Sequence, residues 1–143
     1  PYVAHARATA LANRLTNVRV SHECLSDNQS SMPLRMCVDG GKSSLEPHSL
    51  KHREGCRRER STEMYMRCST LDESLPWRSN RIGLVLLDVE GSENLALTGA
   101  ASIISRWRPL IAIESFSAAN RHGLNRLGYR LDDRCSGLLF YTA

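Results

Sequence analysis

The chain has 143 residues, 41% hydrophobic and 24% charged, enough for one core and too few for two comfortable ones. No apolar run approaches the roughly 20 residues of a spanning helix and no secretory leader pattern opens the chain, so one soluble, cytoplasmic globular domain is expected. The net charge of +4 sits largely in Lys51 to Arg60, a run interleaved with Glu and without an aromatic residue for base stacking, so nucleic-acid binding is set aside.

Val3 to Leu15 is rich in Ala, Leu and Arg and predicts a helix. Thr16 and Asn17 end it before an extended run from Val18 to Leu25. Ser26 to Ser31 has turn chemistry, and Met32 to Val38 predicts a short strand stopped by Asp39, Gly40 and Gly41. Polar and charged residues then dominate without a period, so residues 39–63 read as a long surface loop or insertion. Met64 to Cys68 resumes extended structure, and Thr70 to Leu75 resembles a short capped helix, with Asp72 as a structural cap.

Ile82 to Leu87 is a near-continuous apolar run, which predicts a parallel strand buried on both faces. Asp88 ends it. Val89 and Glu90 lead to Gly91, where the chain can turn, and Ser92 is placed to cap the helix behind it. Leu95, Leu97, Ala100, Ala101, Ile103, Ile104 and Trp107 keep an apolar stripe on one face of that helix. Arg108 and Pro109 break the pattern before a second buried strand, Leu110 to Ile113, which again ends in a carboxylate, Glu114. Ser117 to Leu127 predicts a helix closed by Gly128. Tyr129 to Asp133 and Leu138 to Thr142 predict two strands around a turn at Cys135 to Gly137. The alternation predicts an α/β fold, a mostly parallel sheet with right-handed crossovers and a C-terminal antiparallel hairpin.

Asp88, Glu90 and Glu114 therefore leave strands at their carboxyl ends, where open α/β sheets bind ligands. Neighbouring carboxylates raise one another's proton affinity, which suits Asp88 or Glu90 to work as a base. Glu93 is expected to complement the helix dipole instead, and for Glu114 a structural hydrogen bond competes evenly with a substrate contact. The same three carboxylates would suit Mg²⁺, but nothing in the spacing shows that they converge, and no metal site is assigned. His48, His52 and Cys56 fall four apart and would offer zinc a site with Cys68, but Pro47 and Gly55 interrupt the helix this needs. Trp77 and Trp107 are expected to pack the flanks of the sheet, and His5, His22 and His122 to lie at the surface. Cys24, Cys37, Cys56, Cys68 and Cys135 contain no Cys-x-x-Cys pair and read as reduced thiols.

Thr70-Leu71-Asp72, the stretch Leu-Asp-Val-Glu-Gly-Ser-Glu at 87–93, Leu97 with Gly99-Ala100, Arg108-Pro109 with Ile113-Glu114, and Leu127-Gly128-Tyr129 occur in an order that resembles the landmarks of FkbM-type methyltransferases. These are class I O-methyltransferases that use S-adenosylmethionine. The resemblance runs over nearly the whole chain and implies a Rossmann-like sheet, S-adenosylmethionine as cofactor, and a hydroxyl of a sugar, glycolipid or secondary metabolite as acceptor. It places Leu25, Ser26 and Asp27 at the adenine, after the third strand. With Asp88 these are the expected cofactor contacts, while Asp88, Glu90 and Glu114 are the expected catalytic groups.

Methyl transfer from a sulfonium is a direct displacement, so the protein mainly aligns an oxygen nucleophile and helps remove its proton. Leu86 stands where the family usually carries Lys, two residues before the central Asp. The family's glycine-rich cofactor loop would precede Pro1, and no Gly-x-Gly follows a strand here. The expectation is thus the carboxyl-terminal part of one methyltransferase domain, with its N-terminal strands missing and a sheet edge open to dimerisation. A non-catalytic interaction domain is the alternative.

Overall fold

A computed structural model describes residues 2–37, 43–45, 61–75, 81–89, 91–114 and 118–143. Helix α1 (Tyr2–Ala12) occupies the Ala-rich start and buries none of its residues. Its end is a paired closure in which Arg14 N–H reaches Leu11 O and Leu15 N–H reaches Ala10 O, with Arg14 at φ 55°. That is the usual double bond of a helix closed by a left-handed residue.

The first sheet holds β1 (Cys24–Leu25), β2 (Ser30–Cys37), β3 (Ser43–Leu45) and β4 (Ser61–Ser69), in the spatial order β1-β4-β2-β3. Only β1 runs parallel to its neighbour, β4, while β2 is antiparallel to both β3 and β4. Of the extended run from Val18, only Cys24 and Leu25 pair as strand. Residues 43–45 and 61–63 are strand rather than loop, because β2 offers each a free ladder in register. The rest of the predicted 39–63 loop, including the basic run, lies outside the described residues.

Cys24 and Cys68 are direct register partners of β1 and β4, with Cα atoms 4.4 Å apart, and form a disulfide. This corrects the expectation of reduced thiols for these two residues. Pairing two strands from distant parts of the chain put the sulfurs side by side, which spacing along the sequence could not reveal. It also removes Cys68 from the zinc set. Cys135 is a free, exposed thiol.

The second sheet holds β5 (Leu84–Leu87), β6 (Leu110–Ile113), β7 (Arg130–Cys135) and β8 (Leu138–Thr142), in the order β5-β6-β8-β7. Here β5 and β6 are parallel, and β8 is antiparallel to both β6 and β7. The expected hairpin is present. Its turn, Ser136 and Gly137, has both φ angles positive, matching the twist of a tight hairpin. A single mostly parallel sheet is not what forms, however. Both sheets are mixed, with parallel pairing at β1–β4 and β5–β6 and antiparallel pairing at the other ladders.

Strand β5 departs from expectation in a second way. Val85 and Leu87 are buried, but Leu84 and Leu86 are 54% and 55% exposed. The strand is an edge strand, and no described element covers its outer face. The inner face joins Ile111, Ile113, Leu139 and Tyr141 of the sheet to Ala96, Leu97, Ala100 and Ile104 of the crossover and to Leu124 of α5 (Ala118–Arg126).

The crossover is two helices, α3 (Glu93–Thr98) and α4 (Ala101–Trp107), rather than one. Two contacts made from elsewhere in the chain fix the break at Gly99. A Cβ on Gly99 would fall on the backbone carbonyl of Ser26, so the first sheet comes within contact of the crossover only because this residue has no side chain. The carboxylate of Asp72 then accepts Ser102 N–H at 2.9 Å and Ile103 N–H at 3.0 Å, capping α4 from outside its own segment. Asp72 belongs to α2 (Leu71–Ser74), whose own cap is Thr70, its hydroxyl accepting Glu73 N–H at 3.2 Å.

Candidate active site

The register of β5 and β6 pairs Leu87 with Ile113, so Asp88 and Glu114 follow paired residues on adjacent parallel strands. Both are exposed. Glu114 N–H donates to Leu87 O at 3.2 Å, which carries the ladder one step past the strands and fixes where the two carboxylates leave the sheet. Glu90 lies outside the described residues, so its approach to Asp88 is not described.

The turn behind Asp88 is built differently from expectation. Gly91 has φ 101°, a left-handed conformation that glycine adopts freely. Ser92 occupies the cap position of α3 but makes no capping bond. Its hydroxyl is buried without a hydrogen-bond partner among the described residues. Glu93 does the shaping instead. Its side chain is buried, and its Oε1 accepts Gly91 N–H at 3.0 Å, holding the turn from the first residue of α3. The acidic group in that first turn also matches the dipole role expected of it.

Of Leu25, Ser26 and Asp27, Ser26 meets the chain just past the carboxyl end of α3. Leu25 packs against the core of the second sheet. Ser26 is buried, its N–H donates to Ser69 O at 3.0 Å, and its carbonyl rests over Gly99. The Ser26 hydroxyl lies 3.1 Å from Asp27 Oδ1 and 3.6 Å from Met32 Sδ, one proton facing two acceptors. Asp27 is exposed, and its Oδ1 also accepts Asn28 Nδ2–H at 2.9 Å. Asp88 precedes α3 in the chain, and the Ser26 carbonyl meets Gly99 just past its carboxyl end.

Around Ser26 lies a chain of polar contacts with no pattern in the sequence. Ser69 Oγ donates to Glu23 Oε2 at 2.6 Å and lies 2.7 Å from Ser74 Oγ, and Ser74 Oγ donates to Thr70 O at 2.9 Å. Glu23 and Ser69 are 46 positions apart, so only the β1–β4 pairing brings them together.

The Arg108-Pro109 and Leu127-Gly128-Tyr129 landmarks form one structural knot. Arg108 closes α4 in the left-handed region, at φ 47°. Its guanidinium stacks on the Tyr129 ring, 4.6 Å from the centroid, and donates to Leu127 O and Gly128 O. Tyr129 Oη donates to Pro109 O at 2.9 Å. Burial raises the Tyr129 hydroxyl above its ordinary pKa, and Arg108 offsets part of the rise.

Trp107 is half-buried, with the Arg106 guanidinium 4.8 Å from its ring centroid, while Trp77 lies outside the described residues. His5, His22 and His122 are exposed. Neither a group of three or more His, Cys, Asp and Glu fit to hold a metal nor a helix long and apolar enough to cross a membrane occurs among the described residues. His48, His52 and Cys56 lie outside them. A family model described as the methyltransferase FkbM domain matches residues 4–131. No curated protein and no solved structure matches the chain.

Proposed function

Because the chain belongs to the FkbM methyltransferase family, we propose that it is an S-adenosylmethionine-dependent O-methyltransferase acting on a hydroxyl of a sugar, glycolipid or secondary metabolite in the cytoplasm. One observation carries the proposal. The in-register parallel pair β5–β6 puts Asp88 and Glu114 at one carboxyl-end edge, the edge at which sheets of this kind take their ligands.

The residues present fit such a cofactor. Asp27 and Asp88 are exposed carboxylates, each able to accept hydrogen bonds from donors on a nucleoside. Leu25, packed on the core, and Ser26, whose carbonyl meets Gly99, anchor the chain that carries Asp27. When bound, the cofactor supplies an electrophilic methyl group on a sulfonium. The chain's part is to hold the acceptor oxygen in line and take its proton, and Asp88 is the base in this proposal, with Glu90 beside it in sequence and Glu114 orienting the acceptor.

The test is transfer of labelled methyl from S-adenosylmethionine to a panel of sugars, glycolipids and hydroxylated metabolites. Asp88→Asn is expected to lower kcat by about a hundredfold or more, with Glu114→Gln raising KM for the acceptor. Full activity in Asp88→Asn would remove Asp88 as the base.

A further inference from the structure

We propose that the Cys24–Cys68 disulfide is a redox-operated clasp on the segment Leu25–Asp27, and that opening it loosens the cofactor end of the site. The second half of this rests on the cofactor role proposed above for that segment.

Strand β1 is two residues long and pairs with one neighbour only. Such a short ladder holds poorly by itself, yet the residue after it, Ser26, must sit with its carbonyl over Gly99 at the break between α3 and α4. Among the ties that hold it there are the disulfide, the Glu23–Ser69 bond at 2.6 Å, and Ser26 N–H to Ser69 O at 3.0 Å. The disulfide is the one covalent tie, and it is next to Leu25 in sequence. Past Ser69, β4 leads directly into Thr70 and Asp72. A Cβ on Gly99 would come within 3.2 Å of Thr70 Cβ, and Asp72 caps α4. Movement of β1 against β4 is therefore felt at Ser26 and at the cap of α4 together.

The two sulfurs differ in access. Cys68 is fully buried, while Cys24 is half-exposed, so an incoming thiolate reaches the Cys24 sulfur first. A dithiol reductant forms a mixed disulfide with Cys24, and the S–S electron pair passes to Cys68 Sγ, which takes up a proton. The reductant's second thiolate then attacks the mixed disulfide and frees Cys24. The dithiol leaves as a cyclic disulfide, and two protein thiols remain. Oxidation by a low-molecular-weight disulfide runs the same exchange backwards.

Amide hydrogen exchange of the oxidised chain and of the chain reduced with dithiothreitol tests the clasp, and S-adenosylmethionine titration of both forms tests its consequence. Exchange at residues 23–27 is expected to quicken about tenfold or more on reduction while β6 and β8 stay unchanged, and the Cys24→Ser/Cys68→Ser double variant should behave as the reduced form in either buffer. Where cofactor binds, its affinity should fall about fivefold or more on reduction and recover on reoxidation. Unchanged exchange at 23–27, or alkylation of Cys24 before any reductant is added, would overturn the clasp. Quickened exchange with equal affinity in the two forms would overturn its control of the site. Quickened exchange with no cofactor binding in either form would leave the clasp standing and count against the methyltransferase reading instead.

Discussion

The carboxylate of Asp72 accepts the backbone N–H of Ile103 at 3.0 Å, from 31 positions earlier in the chain. Two orphan donors of α4 are satisfied this way, because Ser102 N–H points at the same carboxylate. Asp72→Ala is expected to cost about 1–2 kcal/mol, and Asp72→Asn distinctly less, since an amide oxygen still accepts. Urea unfolding midpoints of the three proteins check it; equal midpoints for wild type and Asp72→Ala would show that α4 holds without the cap.

Gly99→Ala should reverse the usual gain from replacing a glycine. The φ of Gly99 is −72°, which alanine adopts readily, so the backbone offers no resistance. The added methyl would instead meet the Ser26 carbonyl and Thr70. A loss of about 1–3 kcal/mol is expected, read as a lowered Tm, together with faster hydrogen exchange at Ser26. A stabilised Gly99→Ala protein would contradict the close approach of the first sheet to the crossover.

Arg108→Lys keeps the charge but loses the planar fork that stacks on Tyr129 and reaches two carbonyls. It is expected to cost about 1–2 kcal/mol, the range of one or two charge-assisted hydrogen bonds. Arg108→Ala should cost more, as the ring face is then uncovered as well. Chemical denaturation of both variants decides the order.

Stability should fall at alkaline pH in a way traceable to two tyrosines. The hydroxyls of Tyr129 and Tyr141 are raised above 10.0, first by burial, with Arg108 lowering the one and Arg121 and Arg134 lowering the other by smaller amounts. Unfolded tyrosines release their protons near pH 10 while the folded ones keep them, so the folded state binds more protons in that range. The stabilisation is complete below about pH 10 and is lost as pH rises through the folded values. Tyr129→Phe should flatten the fall between about pH 9 and 11 in urea titrations. An unchanged slope would mean that this hydroxyl ionises as freely folded as unfolded.

What the sequence disclosed followed from local chemistry. The Ala-rich start, the helix closed by Gly128 and the C-terminal hairpin each carry their cause within a few residues, and each forms. The carboxyl ends of β5 and β6 were equally legible, since an apolar run stops at Asp88 and another at Glu114. Most of the departures depend on contacts that local sequence does not disclose. Leu84 and Leu86 looked buried because a run of apolar residues does not say whether both faces of its strand are covered. The helix from Glu93 looked continuous because nothing near Gly99 announces the Ser26 carbonyl. Ser92 looked like the cap because its residue type fits, whereas the neighbouring Glu93 carboxylate takes the Gly91 N–H. Cys24 and Cys68 looked free because 44 positions separate them.

Calorimetric titration of S-adenosylmethionine into the protein tests the central claim most directly. Saturable binding, weakened by Asp27→Ala and Asp88→Asn, is the predicted result. Absence of binding would contradict a methyltransferase and leave a family member without the chemistry.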